Sequence, residues 1–190
     1  IRAPVTGQTF IGLEPPGPLG QAGPSLSSGT KAMPTEHFPR TPYLDGPDPE
    51  AKRAEILRYF HATWDRYESL FQLLANDLAY TRKSISLRHP LLFYLGHTAT
   101  FFINKFVLAG LVDKRIDPRL ESLFAVGVDE MSWDDLNEAH YDWPSPNEVR
   151  NYRDLVRATV DRVIRDTPLT LPIGWQDPFW VVLMGIEHER

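Results

Sequence analysis

"HPLLFYLGHTATFFINKFVLAG" (residues 89–110) carries a single lysine as its only fixed charge, and its apolar residues fall on every side of a 3.6-residue period. That pattern predicts a helix enclosed by others, with Pro90 suited to its first turn and Gly110 to its end. Upstream, "DPEAKRAEILRYFHATWDRYESLFQLLANDL" (48–78) opens on an Asp-Pro cap. It sets Ile56, Phe60, Thr63, Tyr67, Leu70, Leu74 and Leu78 at steps of three and four, the stripe of one long amphipathic helix. Downstream, "SPNEVRNYRDLVRATVDRVIRD" (145–166) starts with a capping box, Ser145 with Glu148. It predicts a buried stripe of Tyr152, Val156, Val160, Val163 and Ile164. "DPFWVVLMGIEHER" (177–190) is a second central helix, apolar on every side from Phe179 to Ile186. No stretch alternates with period two for long enough to predict a sheet. The fold expected is all-α, a four-helix bundle with a long crossover over 111–144 and with its fourth helix cut short.

The first fifty residues hold 10 of the 17 prolines and 7 of the 12 glycines, so 1–47 is expected to be a disordered arm and 48–190 the bundle. Net charge is −5, which offers no basic footprint for nucleic acid or anionic lipid. The apolar runs fall short of a membrane span on this reading. There is no cysteine, which removes disulfides, thiolate metal sites and cysteine nucleophiles together. No charged-then-apolar leader opens the chain, and a cytoplasmic location is expected. Ile1 is not an initiator methionine, and the sequence is expected to be a fragment.

Six histidines carry the candidate chemistry. His37 lies in the arm, His61 at the edge of the first helix's stripe, and His140 in the crossover. His89 precedes Pro90, where it could help cap the helix. His97 is different: it sits among aromatic residues, with Phe93 a turn before and Phe101 a turn after. A lone buried imidazole there costs about 1–3 kcal/mol unless it finds a partner. Gly96 beside it allows a close approach to the backbone. His188 follows the other central run, and facing helices of a bundle are where such folds build metal sites. Two readings stand: core histidines hydrogen-bonded to a carboxylate or carbonyl, or metal ligands lacking a third donor. A histidine four residues past His188 would share its face, at position 192. Glu187 and Glu189 could orient a ligand, or could simply be surface charges.

Three blocks, "RHPLLFYLGHTATFFINK" (88–105), "GVDEMSWDDL" (127–136) and "DPFWVVLMGIEHER" (177–190), closely resemble the N-terminal domain of the histidylcysteine sulfoxide synthases, which form ovothiol. The likeness extends from about Tyr80 to Arg190. It implies a DinB-like four-helix bundle holding non-haem iron(II) through three histidines. The motifs place the first at His97, the second at His188, and the third beyond Arg190. It further implies O2-dependent coupling of cysteine to histidine and a C-terminal formylglycine-generating-type domain that supplies much of the pocket. The 190 residues alone would then be inactive and marginally stable.

The crossover offers candidate substrate contacts. Asp129 could hold an amino-acid ammonium and Trp133 could pack on imidazole, with Tyr141 following them as a third substrate-binding candidate. The alternative for these acids is a capped turn beginning at Ser132. "HYDWPSPNEVRNYR" (140–153) places no arginine before the helix, which the resemblance connects with a small thiol such as free cysteine. Two other functions remain open: a DinB-like metal-dependent thiol transferase, and a non-catalytic helical interaction module.

Overall fold

Three Asp-Pro pairs open helices in the same way. In the computed structural model, which describes residues 38–126 and 141–190, the carboxylates of Asp48, Asp117 and Asp177 accept the backbone N–H of Glu50, Arg119 and Phe179 at 2.9–3.0 Å. Each proline occupies a position whose N–H needs no partner. These caps start α1 (Pro49–Phe71), α4 (Pro118–Leu123) and α6 (Pro178–Glu189). α5 (Pro146–Asp166) begins on Ser145, whose Oγ accepts the Glu148 N–H at 3.2 Å. The Glu148 side chain turns away to Arg119, so only half of the predicted capping box forms. The short α2 (Leu78–Thr81) and the central α3 (Leu91–Leu108) complete the helices, and no strand occurs among the described residues.

The all-α bundle is as expected. α3 lies inside it, packed on α5, α6, α4 and α2. Gly110 adopts φ +68°, a left-handed conformation that glycine takes without strain. The turn there satisfies two orphan carbonyls, with Gly110 N–H on Val107 O at 3.1 Å and Leu111 N–H on Phe106 O at 2.8 Å. α3 is, by length and composition, apolar enough to cross a membrane, contrary to the expectation from its sequence. Its apolar surface is instead used within the bundle, where 67% of the helix is buried. The α5 stripe is as predicted: Tyr152, Val156, Val160, Val163 and Ile164 are all buried, joined by Val149 and Arg153.

The first helix departs from its prediction. α1 ends at Phe71 and a turn separates it from α2. Leu70 and Leu78, placed on the predicted stripe, are exposed, while Phe71 takes the buried position. The period is right as far as Tyr67, and the chain then leaves the helix. α6 is also less enclosed than predicted, since Met184 faces outward and Trp180 and Val181 are only half-buried. The arm up to residue 37 lies outside the described residues. Residues 38–47 run along the bundle, where Phe38 meets the Tyr59 ring edge-on at 6.3 Å and Leu44 O accepts the Ile173 N–H at 2.6 Å.

Candidate metal centre

α3 and α6 approach closely because glycine permits it. A Cβ on Gly185 would lie 2.3 Å from the Phe102 ring, so only a residue without one fits that seam. Across the seam the two imidazoles meet, with His97 Nε2 3.1 Å from His188 Nε2. Nitrogens bound at about 2.0–2.1 Å to one ion stand about 2.8–3.0 Å apart when adjacent in octahedral geometry and about 3.3–3.4 Å apart in tetrahedral geometry, which brackets this distance. The same spacing also suits a hydrogen bond when one of the two carries a proton. His97 is buried, whereas the His188 side is open to solvent.

Each ring is held by a phenylalanine of α3, one a turn before His97 and the other a turn after it. His97 stacks on Phe93, with centroids 5.2 Å apart and planes at 14°. His188 stacks on Phe101, with centroids 3.9 Å apart and planes at 22°. His97 Nδ1 lies 2.7 Å from the Phe124 carbonyl, so it carries the proton and donates, which leaves Nε2 as the lone-pair nitrogen. Phe124 reaches that position for two reasons. The Asp117 cap and Glu121, whose Oε1 accepts the Ile116 and Asp117 N–H groups at 2.8 and 3.0 Å, fix the short α4. Gly96 then lets the Phe124 ring lie where a Cβ would be 2.4 Å away. The sequence signal at Gly96 thus marks an approach of the chain itself, not of a ligand.

Behind the pair lies a charged cluster. Arg153 of α5 is fully buried and donates to Glu68 Oε1 at 3.0 Å, Leu95 O at 2.9 Å, Thr98 Oγ1 at 3.0 Å and Glu189 Oε1 at 2.7 Å. Its guanidinium lies over the Trp64 ring, 4.1 Å from the centroid. Burial pushes the Glu189 carboxyl above the usual carboxylate range, with Arg153 pulling it back. Glu189 Oε2 has no hydrogen-bond partner among the described residues. Burial also pushes the Tyr67 phenol up to about 12, and that hydroxyl donates to Tyr94 O at 2.6 Å. Glu187 instead faces the surface and accepts from Tyr59 at 2.6 Å.

The model for the DinB superfamily matches residues 59–190. The chain belongs to the DinB superfamily. No curated protein matches it.

Within this DinB bundle the structure brings together His97 and His188, which sequence reasoning singled out. Among the described residues no third histidine, cysteine, aspartate or glutamate joins them in a metal-holding group. Tyr141 places its ring 6.1 Å from that of His89, which stacks on Phe93 at 4.1 Å. His89 joins that aromatic stack. Asp129 and Trp133 lie outside the described residues, as do Ser132, His37 and His140. His61 is a boundary residue, as expected, tied to Asp161 and Arg157. Glu189 is buried, which overturns its reading as a surface charge. Sequence reasoning missed Arg153, Phe124 and α4. The first two have no sequence signal, but Asp117-Pro118 repeats the Asp-Pro start read at Asp48.

Proposed function

We propose that this DinB domain is the metal-binding part of a non-haem iron, O2-dependent sulfoxide synthase that joins cysteine to histidine. The observation that carries the metal half of this reading is the 3.1 Å spacing of the two Nε2 atoms, with His97 Nδ1 tied to a carbonyl. His97 and His188 would be two ligands, and a histidine at position 192 of a continued helix the third. Neutral imidazoles of this kind suit iron, zinc, nickel or copper, and iron is carried over from the family resemblance alone. When bound, iron supplies the reaction with O2 that couples the thiol sulphur to the imidazole carbon and oxidises it.

The chain's own residues have simpler tasks. The Phe124 carbonyl selects the His97 tautomer, and the stacked Phe93 and Phe101 rings fix both ligand planes and present an unreactive wall. One turn beyond Phe101, Lys105 places Nζ 5.1 Å from that ring's centroid. With Asn104, Arg115 and Ser122 it lines a cavity of about 470 Å³. Asp129, Trp133 and Tyr141 are the proposed substrate contacts, and a C-terminal formylglycine-generating-type domain would complete the pocket.

The test is metal analysis of the full-length protein followed by product analysis with cysteine, histidine and O2. A sulfoxide of cysteine joined to histidine supports the reading. Thiol transfer with zinc or nickel and no O2 consumption would replace it with the transferase reading, and absence of any bound metal would remove both.

A further inference from the structure

We propose that Arg153, which touches neither imidazole, is the positioning residue that keeps their Nε2 atoms opposed across the seam; the inference rests on the metal-centre reading above. α5 contributes no ring to the pair, yet its arginine bonds to all three other long helices. Nε reaches Glu68 on α1, Nη1 reaches Leu95 O and Thr98 Oγ1 on α3, and Nη2 reaches Glu189 on α6. The α3 contacts fall two residues before and one residue after His97. The α6 contact is the residue next to His188. Thr98 Oγ1 closes the circuit by donating to Glu189 Oε1 at 3.3 Å.

Successive helical residues are separated by about 100°, so a pull on 98 and 189 sets the rotation of each helix about its own axis. A rotation of about 10° acting at a side-chain radius of about 6 Å moves a ring nitrogen by about 1 Å. Metal–ligand distances tolerate about 0.2 Å. Small losses of rotational register should therefore weaken metal binding well before they unfold the bundle. The planar fork of arginine, with the Trp64 ring beneath it, suits this task; a lysine, with three donors on one compact ammonium and a flexible stem, cannot span the same spread of acceptors or stack flat on the indole.

The experiment compares the full-length parent, Arg153→Lys, Thr98→Val and Val160→Ala. Each is titrated with Co2+, melted without metal, and examined metal-free by the imidazole NMR signals of His97 and His188. Arg153→Lys is expected to lose about 10- to 100-fold in Co2+ affinity, the range for lost outer partners. Thr98→Val, which removes one link and keeps the arginine, should lose less and remain folded. Val160→Ala, a buried deletion elsewhere on α5, should lower the melting temperature and leave affinity within about twofold. Parent-like Co2+ affinity in folded Arg153→Lys, or in Thr98→Val should the lysine variant not fold, overturns the inference. If the parent itself binds no Co2+, the metal-centre reading fails and the metal-free spectra decide: unmoved His97 and His188 signals in the variants overturn Arg153's role, and shifted signals sustain it.

Discussion

Two histidine sites on this bundle have opposite fates. On the α1–α5 face, His61 Nε2 lies 2.8 Å from Asp161 Oδ2, and Arg157 donates to His61 Nδ1 at 3.0 Å. Both nitrogens are committed to charged side chains, themselves tied to Arg165 and Asp65. On the α3–α6 seam, each ring stacks on a phenylalanine, His97 Nδ1 donates to one carbonyl, and the Nε2 atoms of His97 and His188 stand opposite one another. The residue type is the same; the neighbouring helix decides its chemistry. α5 brings ions to His61, while α3 and α6 bring each imidazole an aromatic wall and a second imidazole, an arrangement one cation can satisfy.

The sharpest test of that contrast removes the rings one at a time. His97→Ala or His188→Ala should reduce divalent-metal affinity by more than the roughly 100-fold that loss of an outer partner can cost, measured by titration of the full-length protein. His61→Ala should leave it unchanged. Equal losses in all three would mean that the metal follows imidazoles generally and not this seam. The largest effect on stability belongs to Arg153→Met, which strands Glu189 beside an apolar group in a dry interior. Breaking such a buried pair costs about 3–5 kcal/mol, readable as a shift in the denaturant midpoint.

Glycine substitutions sharpen the comparison between seam and surface. Gly96→Ala should push the Phe124 ring from a position 2.4 Å away and cost about 1–3 kcal/mol. Because Phe124 O also holds His97, metal affinity should fall with it. Gly174→Ala meets nothing within 4 Å and should be neutral or stabilise by about 0.4–1 kcal/mol. Thermal melts of the two, with and without Co2+, check both statements. A Gly96→Ala protein that melts like its parent would show that α4 is not pinned as described.

Why the seam was legible and its supports were not follows from what sequence carries. The helices were readable because caps and the 3.6 period are local: Asp48, Ser145 and Asp177 each bond within three residues. His97 and His188 were readable because imidazole amid phenylalanines is anomalous on its own. Arg153 was not, because its meaning depends on Glu68, Leu95, Thr98 and Glu189, which come together only in the folded bundle. Its place beside the stripe residue Tyr152, on a helix with four other arginines, resembles that of an ordinary surface arginine. The stripe through Leu70 and Leu78 misled for a related reason, since periodicity gives a face but not the point at which the helix stops.

The smallest expected effect lies at the other histidine. The Arg165 guanidinium, and after it His61, hold the Asp161 carboxyl below the usual carboxylate range. A carboxyl depressed in the folded state stabilises above its unfolded value, about 3.9, and that contribution is lost as pH falls through the lower folded value. Asp161→Asn should therefore melt slightly below the parent at neutral pH, and the two curves should converge in acid. The partners are substantially exposed, so about 1 M salt, with a screening length of about 3 Å, should remove most of the difference. A gap that persisted in acid and in salt would mean that Asp161 acts through packing. His61 would then be held by shape rather than by charge, and the contrast with the seam would no longer be one of electrostatics.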